Sequence, residues 1–302
     1  ENTFTKTFKK GQILFGRRRA YLKKAAIADF DGICSGDITV IEAIPGKVDP
    51  LLLPFIIQND KFFDYAVSRS AGGLSPRVKW EHLKDYEFDL PPIEEQRILA
   101  DKLWAAYRLK ESYKKLLTAT QEMVKSQFIE IFYGMETTPV KDYIDDSFPG
   151  EWGTEDKDGN GVKVIRTTNF TNSGKLNLAD VVTRSIEDRK VVRKQIKKYD
   201  TILERSGGTA DNPVGRVVLF EEDNLFLCNN FTQVLRFKDV DPRFAFYALY
   251  YFYQTNRTAI RSMGSKTTGI QNLNMSKYLE IGIPNASDED QKAFVTIAEQ
   301  AD

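Results

Sequence analysis

The side chains best suited to covalent or metal chemistry are scarce in this 302-residue chain, which has one histidine, His82, and two cysteines, Cys34 and Cys228. A Ser-His-Asp or Cys-His centre would have to use His82, and metal sites built on several histidines are excluded. His82 stands beside Trp80 and Leu83, the setting of a packing or surface residue. The two cysteines lie far apart in sequence, which argues against a disulfide scaffold or a zinc site and fits a reducing cytoplasm. The run Arg205-Ser-Gly-Gly-Thr-Ala-Asp-Asn212 lacks the Gly-Lys-Ser/Thr ending of a phosphate-binding loop, and no dinucleotide fingerprint occurs. The sequence therefore supplies no catalytic or metal-binding residue and implies no cofactor of its own.

Hydrogen-bond donors and local positive charge are what the loops do supply. Net charge is zero, with 43 basic and 43 acidic residues, whereas a nucleic-acid binder is usually basic overall. The charge is segregated, however. No acid lies between Asn2 and Ala28, a stretch with eight basic residues: Lys6, Lys9, Lys10, Arg17, Arg18, Arg19, Lys23 and Lys24. A second acid-free run, Phe244 to Leu279, holds Arg257, Arg261, Lys266 and Lys277. Counterion release depends on the patch that faces the phosphates, so a neutral total is no obstacle. Arginine can pair bidentately with guanine, Asn or Gln with adenine, and glycines let backbone amides approach phosphates. The candidate DNA-contacting residues are Arg17, Arg18, Arg19, Lys23 and Lys24 after Gly16, then Ser70 and Arg77 in a Gly/Ser-rich loop. Arg166 and Asn169 follow a strand over Val162–Ile165. Two further loops contribute Arg205, Ser206, Thr209 and Asn212, and Ser265, Lys266, Thr267, Thr268, Gln271 and Asn272. The same residues also suit ordinary polar turns, and Asn169 suits a turn cap. The block Tyr247, Tyr250, Tyr251, Phe252 and Tyr253 reads as helical core rather than base-stacking surface.

These loops recur because the chain repeats itself. Each half gives a β-rich stretch ending at a cysteine (Cys34, Cys228), then a strand (Asp37–Ile41, Thr232–Phe237) and an aromatic helical segment (Leu51–Arg69, Pro242–Arg261). A Gly/Ser-rich loop follows, and a strand stopped by proline closes each unit, Lys84–Pro91 and Lys277–Pro284. Acidic helix starts come next, Glu94-Glu-Gln96 and Asp288-Glu-Asp-Gln291, as a helix dipole favours. The offset drifts only from 188 (Lys10 to Lys198) to 195 (Gln96 to Gln291). Residues 139–197 have no counterpart ahead of Lys10, and the second closing helix stops at Asp302, well short of the first. A piece of a longer chain, or a circular permutation, would look like this.

Between the repeats, no Gly or Pro interrupts Ile93 to Tyr133 and Gly134 offers a stop, so a rod of about 60 Å is expected. Leu103, Ala106, Tyr113, Leu117, Thr120, Val124 and Ile131 trace an approximate heptad seam, with Leu103, Tyr113, Leu117 and Val124 as the partner-docking candidates. A stripe of that length needs a partner to bury it. No apolar run approaches a membrane span.

The closing segment Pro91-Pro-Ile-Glu-Glu-Gln-Arg-Ile-Leu-Ala100, its looser copy Pro284–Ala298, and Val164-Ile-Arg-Thr-Thr-Asn169, with the repeat spacing and the rod, resemble the specificity subunits of type I restriction–modification systems. The resemblance implies an α+β fold of two repeated mixed α/β target-recognition domains, joined by long helices that pack as an antiparallel coiled coil. It divides the chain into a first recognition domain (1–92), a central helix (93–134), a second recognition domain (135–286) and the start of a second helix (287–302). Such a subunit is non-catalytic. It reads a bipartite site in double-stranded DNA, the rod setting the gap, and targets two methyltransferase subunits and restriction/translocase subunits to it. S-adenosylmethionine, ATP and Mg would sit on those partners. The alternatives are a helical assembly scaffold that reads no DNA, and an enzyme. No Asn-Pro-Pro-Tyr/Phe methyltransferase motif or nuclease carboxylate–lysine pattern supports the latter.

Overall fold

The computed structural model describes residues 4–267 and 270–301, with only the backbone of Lys266 and Thr267. The chain divides into two compact units, the first ending at Leu116 and the second beginning at Leu117.

The first unit opens on β1 (Lys6–Phe8), β2 (Ile13–Gly16), β3 (Ala25–Ile27), β4 (Gly32–Cys34) and β5 (Ile38–Ile41). Alternation sets the inward face: Ile13 and Phe15 of β2 are buried while Leu14 and Gly16 are only half buried. The sheet order is β3-β2-β5, all antiparallel, and β1 pairs separately with β4. The unit's helices are α1 (Leu53–Ile57), α2 (Asp60–Ser68) and α3 (Trp80–Leu83). Phe62 and Phe63 of α2 bring their rings to 5.3 and 5.7 Å from Phe15, at the centre of this core. The helical segment expected over Leu51–Arg69 is two helices, because Asn59 Oδ1 accepts the Lys61 amide at 2.9 Å and caps a new start.

The rod is α4 (Ile93–Phe132), 40 residues long, and Gly134 beyond it has φ +76°. In the first unit Trp104 Nε1 donates to the Leu51 carbonyl at 2.8 Å, and its ring lies 5.1 Å from Phe55.

The second unit has β6 (Thr137–Pro139), β7 (Ile144–Pro149), β8 (Thr154–Glu155), β9 (Val162–Ile165), β10 (Val182–Ser185), α5 (Asp188–Lys194), β11 (Thr201–Glu204), β12 (Ser206–Gly207) and β13 (Val217–Leu219). It continues with β14 (Phe226–Cys228), β15 (Thr232–Phe237), α6 (Pro242–Thr255), α7 (Arg257–Met263), β16 (Gly264–Thr267), β17 (Ile270–Leu273), α8 (Met275–Tyr278), β18 (Gly282–Pro284) and α9 (Asp288–Gln300). The sheet β13-β11-β15-β7 repeats the order β3-β2-β5 with one strand added. A second sheet, β14-β9-β10-β8, joins β14 to β9 in parallel. Tyr247, Tyr251 and Tyr253 of α6 are buried in the main core, so the aromatic block is largely packing. Among the described residues no helix is long and apolar enough to cross a membrane.

Two sequence expectations need correction. In the first unit the segment before Pro91 is irregular rather than a strand. Its counterpart β18 is a strand because β6 pairs with it, and among the described residues Lys84–Pro91 has no such partner. The heptad seam also fails at the end of α4, where the buried positions are Val124, Phe128 and Phe132 while Ile131 is exposed. A helix lying on a globular core follows the 3.6-residue period rather than a 3.5-residue seam. Val124, only 4% exposed, belongs to the unit's own core and is not open to a docking partner. Tyr113 and Leu117 are exposed and Leu103 is half buried.

The end of α4 packs on α9. Phe294 meets Phe128 and Phe132, at 5.1 and 5.8 Å between ring centroids. Farther along α9, Ala298 and Ala301 share a cleft with Val124, Gln121 and Leu117, so the two helices run antiparallel along this contact.

A glutamine locks each closing helix to its unit. Gln96 is buried: its Oε1 accepts the Asp49 amide at 2.9 Å and its Nε2 donates to the Pro91 carbonyl at 2.8 Å. Gln291, its repeat partner, accepts from Asp241 N and donates to the Ala286 carbonyl, both at 2.9 Å. A primary amide is one side chain that can donate and accept across such a gap. Replacing Gln291 by Ala strands these backbone groups, and the urea midpoint of the full chain is expected to fall by the equivalent of about 1–3 kcal/mol. An unchanged midpoint would show that the lock carries no stability.

Candidate nucleic-acid interface

In the first unit the basic turn leaves β2 and is met by the returning Gly/Ser-rich loop. Arg17 N donates to Asp37 O at 2.9 Å, Val78 N to Arg17 O at 3.2 Å, and Arg19 N to Pro76 O at 2.7 Å. Arg18 and Arg77 form a β-bridge, and Arg77 bridges Ala71 on its other side. The side chains are also engaged. Arg77 grips Asp37 with Nε and Nη2 at 2.8 and 3.2 Å, Arg17 donates to the Gly36 carbonyl, and Arg18 Nη2 reaches Ser75 Oγ at 3.2 Å. The Arg77 guanidinium, aided by Arg18 and Arg17, holds the Asp37 carboxyl below the usual carboxylate range against a smaller effect of burial. Lys23 pairs with Asp60 at 2.5 Å. Arg19 and Lys24 are exposed. Ser70 Oγ donates to the Ala66 carbonyl at 2.8 Å, closing the end of α2.

The second unit repeats this design with more strand. After β11, Arg205 leads into β12, which pairs with β17, and β17 pairs with β16, giving the three-stranded order β12-β17-β16. The two donor-rich loops thus form one small sheet. The bridge Arg18↔Arg77 corresponds to the pair Ser206↔Asn272, at offsets of 188 and 195, since Leu273 N donates to Arg205 O at 2.8 Å just as Val78 N donates to Arg17 O. Arg205 is half buried, with Nη1 3.3 Å from Gln233 Oε1, and Gln233 Nε2 in turn holds Ser147 Oγ at 2.7 Å. Ser206 Oγ donates to Asn272 Oδ1 at 2.8 Å. Thr209 and Asn212 close their own turn, Thr209 N donating to Asn212 O at 2.7 Å and Asn212 N to Thr209 Oγ1 at 3.0 Å. Ser265 is exposed and Gln271 half buried. The side chains of Lys266 and Thr267, and the whole of Thr268, lie outside the described residues.

Beneath this sheet lies a charge pair that the sequence did not announce. Glu204, its side chain 3% exposed, meets Arg216 Nε at 2.6 Å through Oε2, while its Oε1 accepts the Gly208 amide at 3.3 Å. Gly208, at φ +64°, leaves no room for a side chain: a Cβ there would stand 2.8 Å from Val214 N. Arg257 was seen only as a charge in an acid-free run. It stacks 4.2 Å from the Tyr253 ring centroid, with a buried Nη1 that has no hydrogen-bond partner among the described residues.

The third candidate group is mostly structural. Asn169 is 3% exposed and its amide is consumed, accepting from Arg166 N at 2.8 Å and donating to the Asn177 and Asp180 carbonyls at 3.0 and 2.9 Å. Of its two readings, turn cap and DNA contact, the cap is the one observed. Arg166 Nη2 is turned to Asp180 Oδ2 at 3.2 Å. His82 is exposed. Both cysteines are free and buried, and burial pushes the Cys228 thiol up to about 12, so it is no nucleophile at neutral pH.

The family model of the type I restriction modification DNA specificity domain matches residues 1–119 and 146–302, covering both units. The chain belongs to that family. Among curated relatives of this specificity-domain chain is the specificity subunit of the Escherichia coli type I restriction enzyme EcoDI, 26% identical over 148 residues. The match takes 48% of this chain and 33% of the relative, so it spans about a third of that protein's length. Among solved structures, the S subunit of a type I restriction–modification system from M. genitalium aligns with a TM-score of 0.55, 12% identity, and coverage of 99% of this chain and 78% of that one. A chain from a study of complex assembly and conformational transition of the type I R-M system gives a TM-score of 0.53 at 20% identity, covering 100% and 77%. At these identities the structural likeness establishes the fold: repeated mixed α/β domains with a long central helix.

The Glu204–Arg216 pair is the support of the specificity-domain loop sheet most open to test. In Glu204→Ala the Arg216 guanidinium is left largely buried without its counter-charge, which costs about 3–5 kcal/mol. Chemical denaturation of the variant should show that loss, together with faster proteolysis within 205–215. Wild-type stability and wild-type cleavage would place the pair outside the loop's support.

Proposed function

We propose that the chain is a non-catalytic, sequence-specific DNA-binding subunit that reads a bipartite site, each unit reading one half. The observation that carries this is the repeated pairing of a basic or polar turn with a glycine-rich loop, at equivalent register, in both units. A family described by DNA specificity supports DNA reading over the scaffold alternative. The DNA-contacting set is then Arg17, Arg18, Arg19 and Lys24 with Arg77 in the first unit, and Arg205, Ser265, Lys266, Gln271 and Asn272 in the second. Phosphate contacts would fall to exposed cations such as Arg19 and Lys24, and base contacts to groups held in fixed orientation.

Methyl transfer and cleavage would belong to partners: two methyltransferase subunits carrying S-adenosylmethionine, and restriction/translocase subunits using ATP and Mg. The exposed part of α4 around Tyr113 and Leu117 is the proposed docking surface for them. The setting that goes with DNA partners and two free cysteines is the cytoplasm. Random-site selection on the chain assembled with methyltransferase subunits should return two short specific half-sites separated by a gap of fixed length. A single contiguous motif, or no enrichment, would overturn the reading.

A further inference from the structure

Among the candidate cations whose side chains are described, only Arg77 offers both Nε and Nη2 to one carboxylate. Its backbone exchanges two hydrogen bonds with Ala71, at 3.0 and 2.9 Å. Its guanidinium is gripped edge-on by both oxygens of Asp37. Asp37 is itself fixed, its carbonyl accepting Arg17 N at 2.9 Å and its amide donating to Ser35 Oγ at 3.2 Å. The Arg77 side chain is still 50% exposed. An exposed ion pair adds little to stability, so the arrangement needs another explanation.

We infer that Arg77, oriented by Asp37, reads a guanine base in the half-site contacted by the first unit; this rests on the DNA-reading function proposed above. A guanidinium has five N–H donors in a rigid fork. Asp37 engages Nε–H and one Nη2–H, which leaves the outer edge, Nη1 with the second Nη2–H, as a two-donor fork. That edge matches guanine O6 and N7, the acceptor pair that guanine alone shows in the major groove. The carboxylate also argues against a phosphate role for Arg77. It offsets the guanidinium charge and would repel a phosphate brought close, whereas Arg19 and Lys24 have no ion-pair partner among the described residues. In the second unit the same register position is occupied by Asn272, a side-chain type that pairs bidentately with adenine. The repeat thus places a base-reading side chain at this position in both halves, with a different preference in each.

The test uses the assembled chain and the duplex that random-site selection returns. Wild type should prefer guanine at one half-site position and lose about 10-fold or more in affinity when 7-deazaguanine, which lacks the N7 acceptor, replaces it there. Arg77→Lys keeps the charge and loses the fork; it should bind guanine and 7-deazaguanine alike and relax that position only. Asp37→Asn removes the charged buttress and should relax the same position more weakly. An Arg77→Lys profile with guanine preference intact, or an affinity lowered equally at all positions, would overturn the inference while leaving half-site reading in place. A wild-type chain that selects no bipartite site would overturn the half-site reading, and this inference with it.

Discussion

Main-chain pairing between two loops is the constraint on which the rest of the site depends. A loop bearing many polar side chains also bears polar backbone groups, and those must find partners before the side chains can be presented in fixed positions. In each unit the residues leaving the central strand solve this by pairing with a loop that returns from beyond the helical segment. The pairing is a pair of bridges at Arg77 in the first unit and a small three-stranded sheet in the second. An acid sits within each arrangement, Asp37 orienting Arg77 and Glu204 pairing with the largely buried Arg216. Zero net charge is thus compatible with binding an anion, because several acids sit where they orient or support cations.

The loops need a firm base, and the helices provide it. Gln96 and Gln291 tie the starts of α4 and α9 to the backbone just ahead of each helical segment. One end of α4 packs through Trp104 on the first unit, and the other packs through Phe128 and Phe132 in the second. The stretch between, with Leu109 and Tyr113 exposed, belongs to neither core. A single uninterrupted helix therefore does two jobs, packing at its ends and presenting surface at its middle.

Much of this was legible in the sequence, because it rests on patterns of period and spacing. The long helix followed from 40 residues without Gly or Pro, and the repeat from blocks that keep step, including the Gln of each helix start. What was not legible depends on residues brought together from afar. Nothing around Asp37 marks it as the partner of Arg77, and Glu204 shows only as a charge ending an apolar strand. Phe128 and Phe132 fall outside the heptad seam because a globular face governs the period there. Asn169 misled because a cap and a base reader use the same amide chemistry.

Hydrogen–deuterium exchange on the full chain, with and without a duplex carrying the selected site, tests the central claim most directly. Bound DNA should slow exchange in the paired loops of both units, at 16–19 with 70–78 and at 205–215 with 263–273, while the buried core strands change little. Protection confined to the middle of α4, with both loop pairs unchanged, would contradict the account.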